Sequence, residues 1–131
     1  MSGTWDANIL SAYAVNDGQS FAIDTIKSGE RFDVIANIRI GRNLMQFVDQ
    51  CDLFVSVRNL SQSNTLLRQH QSYTLAPQKA PLNDELRVKF NAGWEEANEG
   101  DVLEVVATLK VASGINYDYT LARSGLFIVS I

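Results

Sequence analysis

Apolar and polar residues alternate along most of this chain. Between positions 31 and 40, apolar side chains occupy every second position, and mostly polar side chains fall between them. Residues 51–59, 86–90 and 102–111 repeat the pattern. Because a period of two places successive side chains on opposite faces of a strand, these four segments are predicted to be half-buried strands.

Shorter strands are predicted towards both ends. Residues 9–15 and 21–26 are candidates separated by the turn sequence Asn16-Asp17-Gly18. Residues 126–131 are apolar and β-branched and predict a final strand, which residues 117–121 precede within the same strand or a bent neighbour. The Ser124-Gly125 interruption between them predicts a bulge or bend.

Three further segments are weaker candidates. Residues 66–75 are polar enough to form an edge strand. Residues 43–49 and 92–97 could each form a turn of helix, and neither is long enough to organise a fold.

Seven or eight strands without a long amphipathic helix predict an all-β fold. We expect one domain, residues 1–131, built as an antiparallel two-sheet β-sandwich, with a small closed barrel as the alternative. The passage 98–105 (NEGDVLEV) resembles the approach to a late central strand in immunoglobulin-like and fibronectin-like domains. Leu103 stands where such domains often carry a tyrosine, and paired cysteines are absent, so the resemblance implies a general architecture and no functional residue.

Composition narrows the classes of partner. The 131 residues carry 11 basic and 15 acidic side chains, a net charge of -4, which disfavours nucleic-acid binding. No apolar run approaches the roughly 20 residues that a membrane helix needs, and residues 1–6 lack the features of a secretory signal. Cys51 is the sole cysteine, which suits a reducing compartment. The sequence therefore predicts a cytoplasmic protein or a domain excised from a larger one.

Groups that could support catalysis are few. His70 is the only histidine, and we interpret it as a surface residue on an edge strand. Cys51 alternates in phase with apolar neighbours and is interpreted as a core residue. Oxygen ligands at Asn98, Glu99 and Asp101 leave a calcium site open, although the same residue types form tight turns. We expect no enzyme activity, no cofactor and no metal.

Aromatic residues are the stronger candidates for binding. Trp94, Tyr117 and Tyr119 lie outside the clearest core patterns and could stack on sugars or anchor a protein interface. Tyr117 and Tyr119 share one face of their strand. The alternative interpretation is that Trp5 and Trp94 cap the two ends of the core.

Two large apolar residues interrupt polar strand faces. Ile35 and Phe54 would be exposed there, where a subunit contact could cover them. The apolar C-terminal strand also favours a subunit contact. An unpaired apolar edge is an aggregation hazard, so we expect this strand to be paired within the fold or against a partner. The first hypothesis is accordingly a self-associating or protein-binding assembly module, and the alternative is a module that binds carbohydrate or another small ligand through exposed aromatic residues.

Overall fold

Nine strands and one short helix make up the part of the chain that the computed structural model describes, residues 7–114 and 116–131. The elements are β1 (Ala7–Asn16), β2 (Thr25–Lys27), β3 (Phe32–Ile40), α1 (Arg42–Met45), β4 (Gln50–Asn59), β5 (Asn64–Thr74), β6 (Leu82–Phe90), β7 (Val102–Ser113), β8 (Asn116–Arg123) and β9 (Phe127–Ser130). The four segments with the clearest alternation became β3, β4, β6 and β7. Trp5 lies outside the described residues.

The strands form two sheets packed face to face. The small sheet has the order β1-β3-β6, and the large sheet has the order β2-β9-β7-β4-β5, with β8 also pairing with β7. All pairs are antiparallel except β2 with β9, which run parallel. The predicted antiparallel two-sheet β-sandwich is confirmed, with this one short parallel pair as an exception within it.

The core lies between the sheets and follows the alternation. Every second residue of β7 is buried, from Leu103 to Val111, and the matching positions of β4 and β3 are buried as well. These side chains join one continuous hydrophobic cluster. Burying such a cluster is the main favourable contribution to folding.

Trp94 closes one end of this core. Its side chain is buried, it meets Phe32 edge-to-face at 6.2 Å, and its indole Nε1 donates a hydrogen bond to the Glu30 carbonyl at 2.8 Å. Phe32 in turn stacks on Phe90 at 4.9 Å. The segment around Trp94 is a loop, so the turn of helix predicted for residues 92–97 is wrong.

The interruption between β8 and β9 is a bulge. Both strands pair with the same edge of β7, Arg123 with Val106 and Phe127 with Leu103. Two residues of β7 lie between Val106 and Leu103, whereas three residues lie between Arg123 and Phe127 on the opposite side. The extra residue makes the bulge. Ser124 fixes the break, because its N–H donates to the Val105 carbonyl and its Oγ accepts from the Val105 N–H. The bulge predicted at Ser124-Gly125 is confirmed.

Ile35 is fully buried, which corrects the expectation that it lies on an exposed face. It occupies β3, the middle strand of the small sheet, flanked in register by Tyr13 and Arg87. The Arg87 guanidinium reaches Asp33 Oδ2 at 2.6 Å and the Gln19 carbonyl at 2.8 Å. The outer side of β3 is thus buried within the chain itself at Asp33 and Ile35.

Candidate ligand-binding face

The exposed side of the large sheet carries three of the residues that the sequence singled out, Phe54, Tyr117 and Tyr119. Strand alternation and register place one set of side chains there, which we call the outer face. It comprises Gln50, Asp52, Phe54, Ser56 and Arg58 of β4; Arg68, His70, Ser72 and Thr74 of β5; Glu104, Val106, Thr108, Lys110 and Ala112 of β7; and Tyr117, Tyr119, Leu121 and Arg123 of β8.

One side of the outer face is an aromatic ridge along β8. Tyr117 is 56% exposed and Tyr119 is 43% exposed, and Leu121 continues the same side of the strand. Lys110 of β7 is the register partner of Tyr119, and its Nζ lies 4.2 Å from the centre of the Tyr117 ring. This cation–π contact helps to orient the ring and leaves the ridge open to solvent.

The other side of the outer face carries a second aromatic pair. Phe54 of β4 and His70 of β5 face each other in register, and their rings stack with centres 4.3 Å apart and planes 6° from parallel. Phe54 remains 39% exposed. Two intervening strands separate β8 from β5, so the two aromatic positions are about 10–15 Å apart at a strand spacing of about 4.8 Å.

A hydrogen-bond network holds the His70 ring in place against Phe54. Asp52 Oδ1 accepts from Ser72 Oγ at 2.5 Å and from His70 Nε2 at 3.0 Å, and Gln50 Nε2 lies within 3.3 Å of both carboxylate oxygens. The bond from Ser72 has the largest effect on the pKa of Asp52 and lowers it; burial opposes this, and the bonds from His70 and Gln50 lower it further. An ionised carboxylate only accepts, so Nε2 of His70 is the donor in this contact.

Asp52, His70 and Ser72 are not arranged as a hydrolytic triad. In such a triad, one histidine nitrogen bonds the aspartate and the other bonds the serine. Here Ser72 Oγ lies 3.4 Å from Nε2, the same nitrogen that bonds Asp52, and the serine hydroxyl donates to the carboxylate. The network holds side chains in place on a strand edge, as expected for a surface histidine.

A shallow groove of about 470 Å³ opens beside the stacked pair. We call it the β4–β5 groove. Its lining consists of Phe54, Val55, Ser56, Arg68, Gln69 and His70. It brings the rings of Phe54 and His70, the Ser56 hydroxyl and the Arg68 guanidinium together on the outer face.

A larger groove, of about 850 Å³, lies elsewhere, along the loop that follows β1. Among the described residues that line it, Phe21 is the one aromatic residue and is 82% exposed, and the arginine, Arg31, pairs with Asp17 at 3.9 Å. The described part of its lining offers no second aromatic position for a ligand to span, so the outer face is the better candidate despite its smaller groove.

Of the five predicted site residues, three meet on the outer face. These are Phe54, Tyr117 and Tyr119, which come from strands that are not adjacent in the sequence. Trp94 is buried at the end of the core and Ile35 belongs to the small sheet, so neither is available for a ligand. The sequence reasoning missed the role of His70, Arg68 and Lys110 as neighbours of the aromatic residues, because strand register brings them together.

The loop considered for calcium uses its carboxylate internally. Asp101 Oδ2 accepts hydrogen bonds from Asn59 Nδ2 and Gln62 Nε2, both at 2.8 Å, and from the Asn98 N–H at 2.9 Å. The bond from Asn59 contributes most to a lowered pKa of Asp101. This arrangement favours the tight-turn interpretation. Within residues 7–114 and 116–131, no cluster of three or more His, Cys, Asp or Glu side chains is placed to hold a metal ion.

Comparison with known proteins bears on the fold. No protein-family model matches the chain, and no curated protein matches it by sequence. Among solved structures it is similar to the C-terminal domain of wzt, with a TM-score of 0.59 and 9% sequence identity over 97% of this chain and 77% of that one. At this identity the similarity shows a shared β-sandwich fold.

In the described part of the chain, no helix has the length and apolar character needed to cross a lipid bilayer.

Proposed function

We propose that this domain binds an oligosaccharide on the outer face of its large sheet, without catalysing a reaction on it. The observation that carries the proposal is the pair of aromatic positions on one open face, Tyr117 and Tyr119 on β8 and Phe54 with His70 across β4 and β5. Sugar rings present flat C–H faces, and aromatic rings that are exposed on a flat surface pack against them.

The strip between the aromatic positions supplies hydrogen-bonding groups. Thr108 and Lys110 of β7 lie there, beside Asp52 and Phe54 of β4 in the register. Hydroxyl, ammonium and carboxylate groups match the hydroxyl edges of a sugar. A separation of about 10–15 Å between the aromatic positions exceeds the width of one sugar ring, so the face fits a short oligosaccharide better than a monosaccharide.

The test is glycan binding by variants of the two aromatic positions. We expect Tyr119→Ala and Phe54→Ala each to weaken the affinity for a bound oligosaccharide about fivefold or more in titration calorimetry, because each removes one stacking contact of about 1 kcal/mol or more. Phe21→Ala is the matched control, since Phe21 is also an exposed aromatic residue but lies at the other groove. Equal affinities in all four proteins would contradict the proposal.

Self-association is the second candidate, and a different observation favours it. At the far end of the large sheet, Ile128 pairs with Val102, and the Leu60 N–H donates to the Val102 carbonyl at 2.8 Å. Leu60 is 41% exposed and Ile128 is 45% exposed. We call Leu60, Val102 and Ile128 the apolar row. A second subunit that covered it would remove this apolar surface from water. The mass of the domain in solution separates this candidate from glycan binding alone.

A further inference from the structure

The outer face differs in charge from the rest of the protein. The chain as a whole has a net charge of -4. On the outer face, however, four cationic side chains stand against two carboxylates. The cations are Arg58, Arg68, Lys110 and Arg123, and the carboxylates are Asp52 and Glu104. A ligand approaching this face therefore meets a positive surface on an acidic protein.

Both carboxylates are already engaged. Asp52 accepts hydrogen bonds from Ser72, His70 and Gln50. Glu104 lies 3.7 Å from a guanidinium nitrogen of Arg123. Neither has an ion pair with Arg68 or Lys110 among the residues that the structure describes, so the charge of these two cations is not balanced within the face.

Arg68 lies in the β4–β5 groove, where it could pair with a negative charge on a ligand. It lines the β4–β5 groove together with Phe54 and His70, on the edge strand β5. Its register partner on β4 is Ser56, whose hydroxyl lines the same groove. A guanidinium offers paired N–H donors in a planar fork that matches a carboxylate, and the neighbouring Phe54 ring offers an apolar surface for the ring that bears it.

We infer that the β4–β5 groove takes a carboxylate-bearing sugar unit, with Arg68 pairing with the carboxylate and Phe54 packing against the sugar ring. The ligand class is then an acidic oligosaccharide, whose remaining units extend over β7 towards Tyr119. Lys110, between the two aromatic positions, adds a second cation along this path. The inference rests on the proposed function and names its ligand class.

The test begins with an array that carries both acidic and neutral glycans. The strongest acidic ligand is then compared in titration calorimetry with the same oligosaccharide after chemical reduction of its carboxylates to alcohols. We expect the acidic form to bind at least tenfold more tightly, and the difference to shrink as salt concentration rises. Arg68→Gln should remove most of this preference and leave the affinity for the reduced form within about twofold, because only the charge-assisted bond is lost.

Two further variants make the outcome specific. Arg68→Lys should keep part of the preference, since it keeps the charge and loses the planar fork. Arg39→Gln is the control, because Arg39 is an exposed arginine on the small sheet and lies outside the groove. A sulfated or phosphorylated glycan that binds more tightly than every carboxylated one would overturn the assignment of a carboxylate.

The outcomes also separate this inference from the proposal beneath it. If every glycan bound on the array is neutral, or if the acidic and reduced forms bind equally, the inference fails and oligosaccharide binding stands. If no glycan binds with a Kd below about 1 mM, the inference and the proposed oligosaccharide binding both fail.

Discussion

Asp33 carries a carboxylate in the interior of the protein, where burying a charge costs free energy. Its side chain is fully buried on β3, and Oδ1 has no hydrogen-bond partner among the described residues. Oδ2 is held by Arg87 at 2.6 Å, and the Gly18 N–H lies 3.5 Å away. Arg87 also donates to the Gln19 carbonyl, so the pair ties the loop after β1 to the outer side of the small sheet.

Removing the arginine should therefore destabilise the domain strongly. We expect Arg87→Gln to lower the free energy of unfolding in urea by about 3 kcal/mol, because it leaves the Asp33 carboxylate buried without a cation. The double variant Asp33→Asn with Arg87→Gln should recover much of that loss. Arg31→Gln is the control: its ion pair with Asp17 is solvent-exposed at 3.9 Å and should contribute less than about 1 kcal/mol. Equal losses for the two arginine variants would contradict this account.

Single residues show where sequence reasoning stops. Alternation correctly placed Cys51 in the core, where burial above all, and then the charges of Asp52 and Asp84, raise the pKa of its thiol to about 11. The same alternation placed Ile35 on an exposed face. Its phase along β3 is the one expected, but the phase cannot reveal that Ile35 is buried on that face, between Tyr13 and Arg87 of the neighbouring strands.

At the scale of elements, β5 is a long edge strand secured by side chains. It forms eleven residues of β structure and pairs only with β4 among the described strands. Its polar residues protect the free edge against pairing with another chain. Asp52 of β4 links the two strands laterally through His70 and Ser72.

This link should depend on pH through Asp52. The folded protein lowers the pKa of Asp52 below its ordinary value of 3.8, chiefly through the hydrogen bond from Ser72. The carboxylate therefore contributes stability above the unfolded pKa, and that contribution is lost as pH falls through the folded pKa. We expect the free energy of unfolding to fall less steeply below about pH 5 in Asp52→Asn than in the wild type, measured by urea titration at several pH values. Parallel pH profiles for the two proteins would rule out this role.

Elements were predicted best where their signal is local. The four strongly alternating segments, the edge strand and the bulge at Ser124 all follow from residue order and turn chemistry. Residues 21–26 show the limit: only Thr25–Lys27 forms a strand, and Ala22 makes an isolated bridge to Val15. The partner of β2 is β9, at the other end of the chain, so its boundaries depend on a contact that no local pattern records.

At the scale of the whole molecule, the apolar row makes self-association measurable. If a second copy covers the row, light scattering across a concentration series should show a mass rising from 14.5 kDa towards twice that value. Ile128→Asp should then hold the mass at that of the monomer, because it places a charge in the contact. Phe21→Asp is the control, because Phe21 is also an exposed apolar residue but lines a different groove, the one along the loop after β1. A wild type that stays monomeric at every concentration would exclude this candidate.

The experiments on mass and on glycan affinity address different surfaces. Ile128 lies at the end of the large sheet near β2, whereas Tyr119 and Phe54 lie over the pairing of β8, β7, β4 and β5. Ile35→Asp would not distinguish the two functions, because a carboxylate at a fully buried position would unfold the domain.

The sequence by itself determined the class of fold and the faces of the main strands, because a period of two specifies which side chains are buried whenever one side of a strand meets the core. It also singled out Phe54, Tyr117 and Tyr119. Only the tertiary structure decided that these three share a face, that Trp94 closes the core instead of joining them, and that Arg68 and His70 stand beside Phe54. Strand order and register decide such neighbours, and they are set by pairings between residues far apart in the chain.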